Sequence, residues 1–175
     1  SNIERNLYLT SQLLEMGVPL IIALNMMDMA AERKLAIDVN GLAQRLGCPV
    51  IPLIAAKNKG IEELKAAIVA ATDTVAAPTA ELIYPESVQL ARNTLASELQ
   101  DACAIKKIDP YWLALKLLEG DDHALSYVSL GQATRERIAA LQAQIEHDLD
   151  EETDIVIASA RYGFVSWLTR DLIRK

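Results

Sequence analysis

The hydrophobic positions of this chain follow two different patterns, and the change comes at Thr72. Before it, Val18-Pro19-Leu20-Ile21-Ile22-Ala23-Leu24 is apolar without alternation and stops at Asn25. A half-exposed strand alternates, so a short continuous run predicts a strand covered on both faces, as in a parallel α/β sheet. Residues 49–55 form a second such run, ending in the loop Ala56-Lys57-Asn58-Lys59-Gly60. Helical spacing surrounds both runs. Residues 1–15 place Ile3, Leu7, Leu13 and Leu14 on one face, with Ser1 and Glu4 at capping-box spacing and Gly17 as the terminator. A charged helical turn over 29–35 follows, then a short helix over 39–46 closed by Gly47. Residues 61–71 repeat Ile61, Leu64 and Ile68, with Glu62 and Glu63 at the positive end of the helix dipole. Helix–strand–helix–strand–helix is the rhythm of a doubly wound sheet.

Beyond Thr72 the pattern predicts helices and no strand. Residues 74–79 are small, polar and proline-containing, and 74–84 read as a linker. Pro85 stands at the start of a helix over 86–104, and Asp109-Pro110 opens another over 111–118. A short piece over 123–130 leads to Gly131, and Ile138, Leu141, Ile145 and Leu149 step through a longer helix. Thr153 or Asp154 caps a last helix that runs to the C-terminus. The fold class is α/β, a partial doubly wound sheet over 1–73 followed by an all-α bundle of four or five helices over 85–175. Trp112 and Trp167 are expected to anchor the bundle's core.

Two strands cannot cover two apolar faces or satisfy their own outer edges. The remaining strands are therefore expected from residues preceding Ser1 or from another copy, and the open edges should favour self-association. With 175 residues and half of them hydrophobic, a core can form. No apolar run reaches the length of a membrane span. The net charge of −7 argues against nucleic acid as a partner. Cys48 and Cys103 lie too far apart for a metal knuckle; they read as small buried hydrophobes in a reducing setting.

Ligands of open α/β sheets sit beyond the carboxyl ends of the strands, and there stand Asn25 and Asp28, three residues apart. Asn-x-x-Asp is how small GTPases read guanine. Around it, Asn2-Ile3-Glu4-Arg5-Asn6-Leu7-Tyr8-Leu9-Thr10, Gly17-Val18-Pro19 and Ala23-Leu24-Asn25-Met26-Met27-Asp28 resemble the cytosolic G domain of the ferrous iron transport protein B family. Leu46-Gly47-Cys48-Pro49-Val50-Ile51-Pro52, Gly60-Ile61-Glu62-Glu63-Leu64 and Ala160-Arg161-Tyr162 continue the resemblance over nearly the whole chain. In that family a G domain is followed by a helical domain, said to resemble a nucleotide-dissociation inhibitor, and then by an iron-transporting membrane domain.

The resemblance implies GTP or GDP as ligand, a membrane transport domain as covalent partner, and the cytoplasmic side of a bacterial inner membrane as location. It implies that Asp28 accepts both guanine N1–H and the N2 amine, a bidentate charge-assisted contact. Asn25 would bind the purine edge and tie neighbouring loops together. Met26 stands where small GTPases usually have lysine and would lay a polarizable apolar surface on the base. Ala55-Ala56-Lys57 aligns with a Ser/Thr-Ala-Lys motif; lacking the serine, it would reach guanine O6 through backbone N–H, which implies a looser pocket and faster release. The P-loop Gly-x-x-x-x-Gly-Lys-Ser/Thr and the switch motifs are not found, so the chain alone is expected not to hydrolyse GTP. Mg²⁺ is expected only in a complete G domain.

Each of these residues also has a plainer reading. Asn25 and Asp28 could cap the helix that follows. Met26, Met27 and Met29 read as core filling rather than a soft-metal site. His123 and His147 have no partner ligands nearby in sequence, and Asp121-Asp122 and the acidic run over 148–152 read as solvated turns. The alternative function class is a nucleotide-free, acidic helical module that docks a partner or a second copy.

Overall fold

The computed structural model describes residues 2–73 and 77–174, so Ser1 of the capping box and residues 74–76 of the linker lie outside it. In chain order the elements are α1 (Asn2–Glu15), β1 (Ile22–Leu24), α2 (Met27–Glu32), β2 (Ala36–Ile37), α3 (Val39–Leu46), β3 (Val50–Pro52), a 3₁₀ turn (Ala55–Lys57) and α4 (Ile61–Asp73). Then come α5 (Glu86–Lys106), α6 (Pro110–Leu118), α7 (Ala124–Tyr127), α8 (Gln132–Leu149), α9 (Thr153–Thr169) and β4 (Ile173–Arg174). They form two compact units, Ser1–Glu81 with Gly163–Lys175, and Leu82–Tyr162.

In the first unit β1 and β3 pair in parallel, Ile22 opposite Val50 and Leu24 opposite Pro52. The ladder is extended at both ends: Ile22 N–H donates to Pro49 O at 2.9 Å, and Leu53 N–H donates to Leu24 O at 2.8 Å. The helix before β3 has a clear stop. Gly47 adopts φ +67°, and a Cβ there would stand 2.0 Å from Thr79 Oγ1. Only glycine meets both conditions. Leu42 and Leu46 of α3, with Cys48, Val50 and Leu53, are buried.

Several expectations change here. The apolar run over 18–24 pairs only from Ile22, and β1 is half-exposed rather than covered on both faces. Its paired neighbour among the described residues is β3 alone. Two further strands exist where the pattern predicted none: β2 pairs antiparallel with β4, Ile37 opposite Ile173. Two residues are too few to show a period, and the partners lie at opposite ends of the chain. The last helix does not run to the C-terminus; it ends at Thr169, and Asp171 at φ +65° turns the chain into β4. Trp167 falls in the first unit and is half-exposed, so it does not anchor the helical core. Met26 and Met29 are exposed, not core filling. Asp38-Val39-Asn40-Gly41 matches a switch Asp-x-x-Gly in its letters, yet its carboxylate caps α3, accepting from Gly41 N–H at 2.9 Å.

The second unit is wholly helical. Its core runs from Leu95, Leu99 and Cys103 of α5 to Leu113 and Leu117 of α6, Ile138 and Ile145 of α8, and Ile157 of α9. Asp109 caps α6 as its letters predict, accepting from Trp112 N–H at 2.7 Å with Pro110 in the first turn. Trp112 packs edge-to-face on Tyr127 with 5.5 Å between ring centres. Arg161, fully buried, meets Glu119 through Nη1 and Nη2, the Nη2–Oε2 contact being 2.9 Å. No helix among the described residues is long and apolar enough to cross a membrane.

Candidate functional site

At the carboxyl ends of β1 and β3 the backbone turns away from the sheet in two adjoining loops. The first carries Asn25, Met26 and Asp28; the second is the 3₁₀ turn Ala55–Lys57. Parallel pairing brings them together, because Leu24 and Pro52 are opposite residues and each loop leaves its strand there. Met27 N–H donates to Leu53 O at 3.2 Å, holding the loops side by side.

Asn25 joins the two loops with one atom. Its Oδ1 accepts from Met26 N–H at 2.8 Å and from Ala55 N–H at 3.1 Å, thirty positions away. Two donors on one atom identify it as the amide oxygen, and Nδ2 has no acceptor among the described residues. Met26 pays a conformational penalty for its part in this: φ is +63°, a region that side chains with a Cβ seldom adopt. Its side chain is 60% exposed beside Asn25. The plain capping reading does not describe Asn25, which reaches across to the other loop, and α2 has no side-chain cap at its start.

Asp28 lies inside the first turn of α2. Its Oδ1 accepts from Met29 N–H at 3.0 Å, and its Oδ2 accepts from Lys57 Nζ at 2.7 Å. The hydrogen bond from Lys57 holds the Asp28 carboxyl below the usual carboxylate range, and the same bond raises the Lys57 ammonium. This pair is not legible in the sequence. The spacing of 29 positions gives no local signal; only the parallel register brings them together.

The second loop is fixed by its own backbone. Lys57 N–H donates to Ile54 O at 2.9 Å, Ile54 and Lys59 bridge, and Asn58 takes φ +51°. Gly60, at φ +79°, closes the loop where a Cβ would stand 2.3 Å from Pro52 O. With Ala55 N–H on Asn25 and Lys57 N–H on Ile54, Ala56 N–H is the one of the three that has no acceptor among the described residues. The geometry therefore gathers a carboxylate, an amide NH₂ and a backbone N–H at one strand end. His123 and His147 are exposed elsewhere, and no group of three or more His, Cys, Asp or Glu suited to a metal occurs among the described residues.

Comparison with known proteins extends this picture. Residues 1–68 match the family described as ferrous iron transport protein B, and residues 84–174 match the FeoB cytosolic helical domain. The chain is 41% identical over 167 residues to the Fe(2+) transporter FeoB of Escherichia coli K12, covering 95% of this chain and 20% of that protein. It is also 41% identical over 169 residues to the Fe(2+) transporter FeoB of Salmonella typhimurium LT2, with the same coverage. The chain thus spans 20% of the length of these curated relatives. Among solved structures, an S. thermophilus NFeoB mutant bound to GDP superposes with a TM-score of 0.87 at 30% identity, over 99% of this chain and 65% of that one. The cytosolic domain of L. pneumophila FeoB superposes with a TM-score of 0.80 at 32% identity, over 98% and 64%. Together the two family matches, the curated relatives and the shared fold establish that the chain belongs to the ferrous iron transport protein B family.

Proposed function

We propose that this chain is the guanine-reading part and the helical domain of the cytosolic portion of a GTP-dependent ferrous iron transporter, working at the cytoplasmic face of a bacterial inner membrane. The observation that carries the reading is the bridge from Asn25 Oδ1 to Ala55 N–H. It makes one rigid rim out of two loops and leaves three complementary groups for a purine. Asp28 offers carboxylate oxygens to guanine N1–H and N2, Asn25 Nδ2 offers a donor to the purine edge, and Ala56 N–H offers a donor to O6. Met26 supplies the apolar surface on which the ring lies. A relative solved with GDP supports the same ligand.

Adenine reverses the polarity at both the N1 and the exocyclic positions, so a rim of this kind rejects it by leaving buried polar groups unmatched. The test joins this chain behind the P-loop segment of a relative and displaces a fluorescent GDP with unlabelled GDP or ADP. GDP should compete at least about a hundredfold better than ADP. Equal competition by ADP would contradict a base-reading role.

A further inference from the structure

We infer that Lys57 is a built-in competitor of guanine for Asp28: the ammonium that closes on the carboxylate must leave before the base can be read, which lowers affinity by slowing association. The inference rests on the base-reading role proposed above for Asp28. Guanine presents two donors, and a carboxylate meets them with two oxygens. In this structure both oxygens are already used. Oδ1 accepts from Met29 N–H at 3.0 Å, within its own helix, and Oδ2 accepts from Lys57 Nζ at 2.7 Å. Oδ1 keeps a second lone pair beside the Met29 bond, so it can take another donor without breaking anything. Oδ2 is different, because its partner is a full positive charge at 2.7 Å, and a base amine brought to the same oxygen would set donor beside donor.

The lysine is also placed to come and go. Its side chain is 58% exposed and that of Asp28 is 28% exposed, so water can replace either partner as they part. Its backbone, by contrast, is pinned by the bond to Ile54 O and by the Ile54–Lys59 bridge. A fixed root with a free head is a swinging group. When the base leaves, the head can return to Asp28 without any loop moving, and each return opposes rebinding.

The magnitude follows from the class of interaction. Exposed ion pairs of this kind shift an equilibrium by a factor of about two to five, and they weaken as salt screens them. The experiment measures GDP affinity and association and dissociation rates in the chain joined behind a relative's P-loop segment, for the parent, Lys57→Met, Lys57→Arg and Asp28→Asn. Tetramethylammonium chloride adjusts ionic strength without supplying a small metal ion. Lys57→Met keeps the stem but removes the charge; it should bind GDP about two- to fivefold tighter at low salt, chiefly by faster association. That advantage should shrink toward none at high salt. Lys57→Arg restores a cation and should return the affinity to within about twofold of the parent; a merely structural role for the stem would leave both variants at the parent's affinity. If Lys57→Met binds GDP as the parent does, or more weakly, while Asp28→Asn still weakens GDP, the competitor role is overturned and the base-reading role stands. If Asp28→Asn leaves GDP binding unchanged, both fall together.

Discussion

Asn25 is testable because its structural contact and its proposed ligand contact fall on different atoms. Its Oδ1 accepts from Ala55 and Met26 N–H, while Nδ2 is the atom proposed for the purine edge. Asn25→Asp keeps the acceptor and removes the donor; Asn25→Ala removes both. The aspartate variant should therefore retain the thermal stability of the parent within about 0.5 kcal/mol, and the alanine variant should lose about 1–2 kcal/mol with the two hydrogen bonds. Nucleotide affinity, measured in the P-loop-joined protein, should fall in both. An aspartate variant that binds GDP as the parent does would remove Nδ2 from the site. The letters of the chain carried the position of this residue, just past the end of β1, since an apolar run that stops at Asn25 is a local signal. They carried Lys57 only in part: its neighbourhood was legible, but its bond to Asp28 depends on a register that no local spacing encodes.

Among the elements, the end of α9 shows how a sequence signal outlasts its helix. The apolar period runs on toward the C-terminus, yet the helix stops at Thr169, and its last carbonyls find a partner outside it. Arg45 of α3 donates through Nη1 to Trp167 O at 2.7 Å, Leu168 O at 3.2 Å and Arg170 O at 2.8 Å, with its guanidinium 5.3 Å from the Trp167 ring centre. These are carbonyls that an α-helix leaves unsatisfied at its C-terminus, where a cation is also favoured by the dipole. The chain then turns, and Asp38 N–H donates to Leu172 O at 2.8 Å beside the β2–β4 pair. Arg45→Ala should loosen this region by about 1–3 kcal/mol, read as faster hydrogen exchange at the Asp38 amide with no change at the Leu53 amide. Lysine at the same position should restore protection only in part, because an ammonium lacks the planar guanidinium that stacks on the tryptophan. Unchanged exchange at Asp38 in the alanine variant would show that Arg45 is not the latch. Caps and stops such as Gly47 and Asp109 were readable because they act within a few residues; β2, β4 and the Arg45 contact were not, because their partners lie more than a hundred positions away.

For the molecule as a whole, the change from a sheet with helices to a chiefly helical region was legible, since it is carried by many residues at once, whereas β4 near the chain's end was not. What the sequence could not show is that the chain's last residues join the first compact unit. The second unit contains the fully buried Arg161, and with it a pH dependence. Burial alone would raise the Glu119 carboxyl, but the Arg161 guanidinium and the Lys116 ammonium against it hold it below its ordinary value of 4.5. A carboxyl depressed on folding contributes stability above its unfolded value and loses it as pH falls through the folded one. Urea midpoints followed by Trp112 fluorescence in a Trp167→Phe background should therefore decline as pH falls below about 4.5, and Glu119→Gln should flatten that decline. A midpoint that holds steady across that range in the parent would contradict the assignment. The account as a whole turns on guanine recognition by Asp28, and Asp28→Asn examines it most directly. The substitution preserves size but replaces one carboxylate oxygen with an NH₂ donor, which opposes a guanine donor and matches the oxygen that xanthine carries instead of the amine. In the P-loop-joined protein, competition between GTP and XTP should show GTP weakened by about tenfold to a few hundredfold and XTP strengthened. Binding of GTP unchanged by Asp28→Asn would mean that Asp28 serves only its own helix and Lys57, and that this strand end does not read a base.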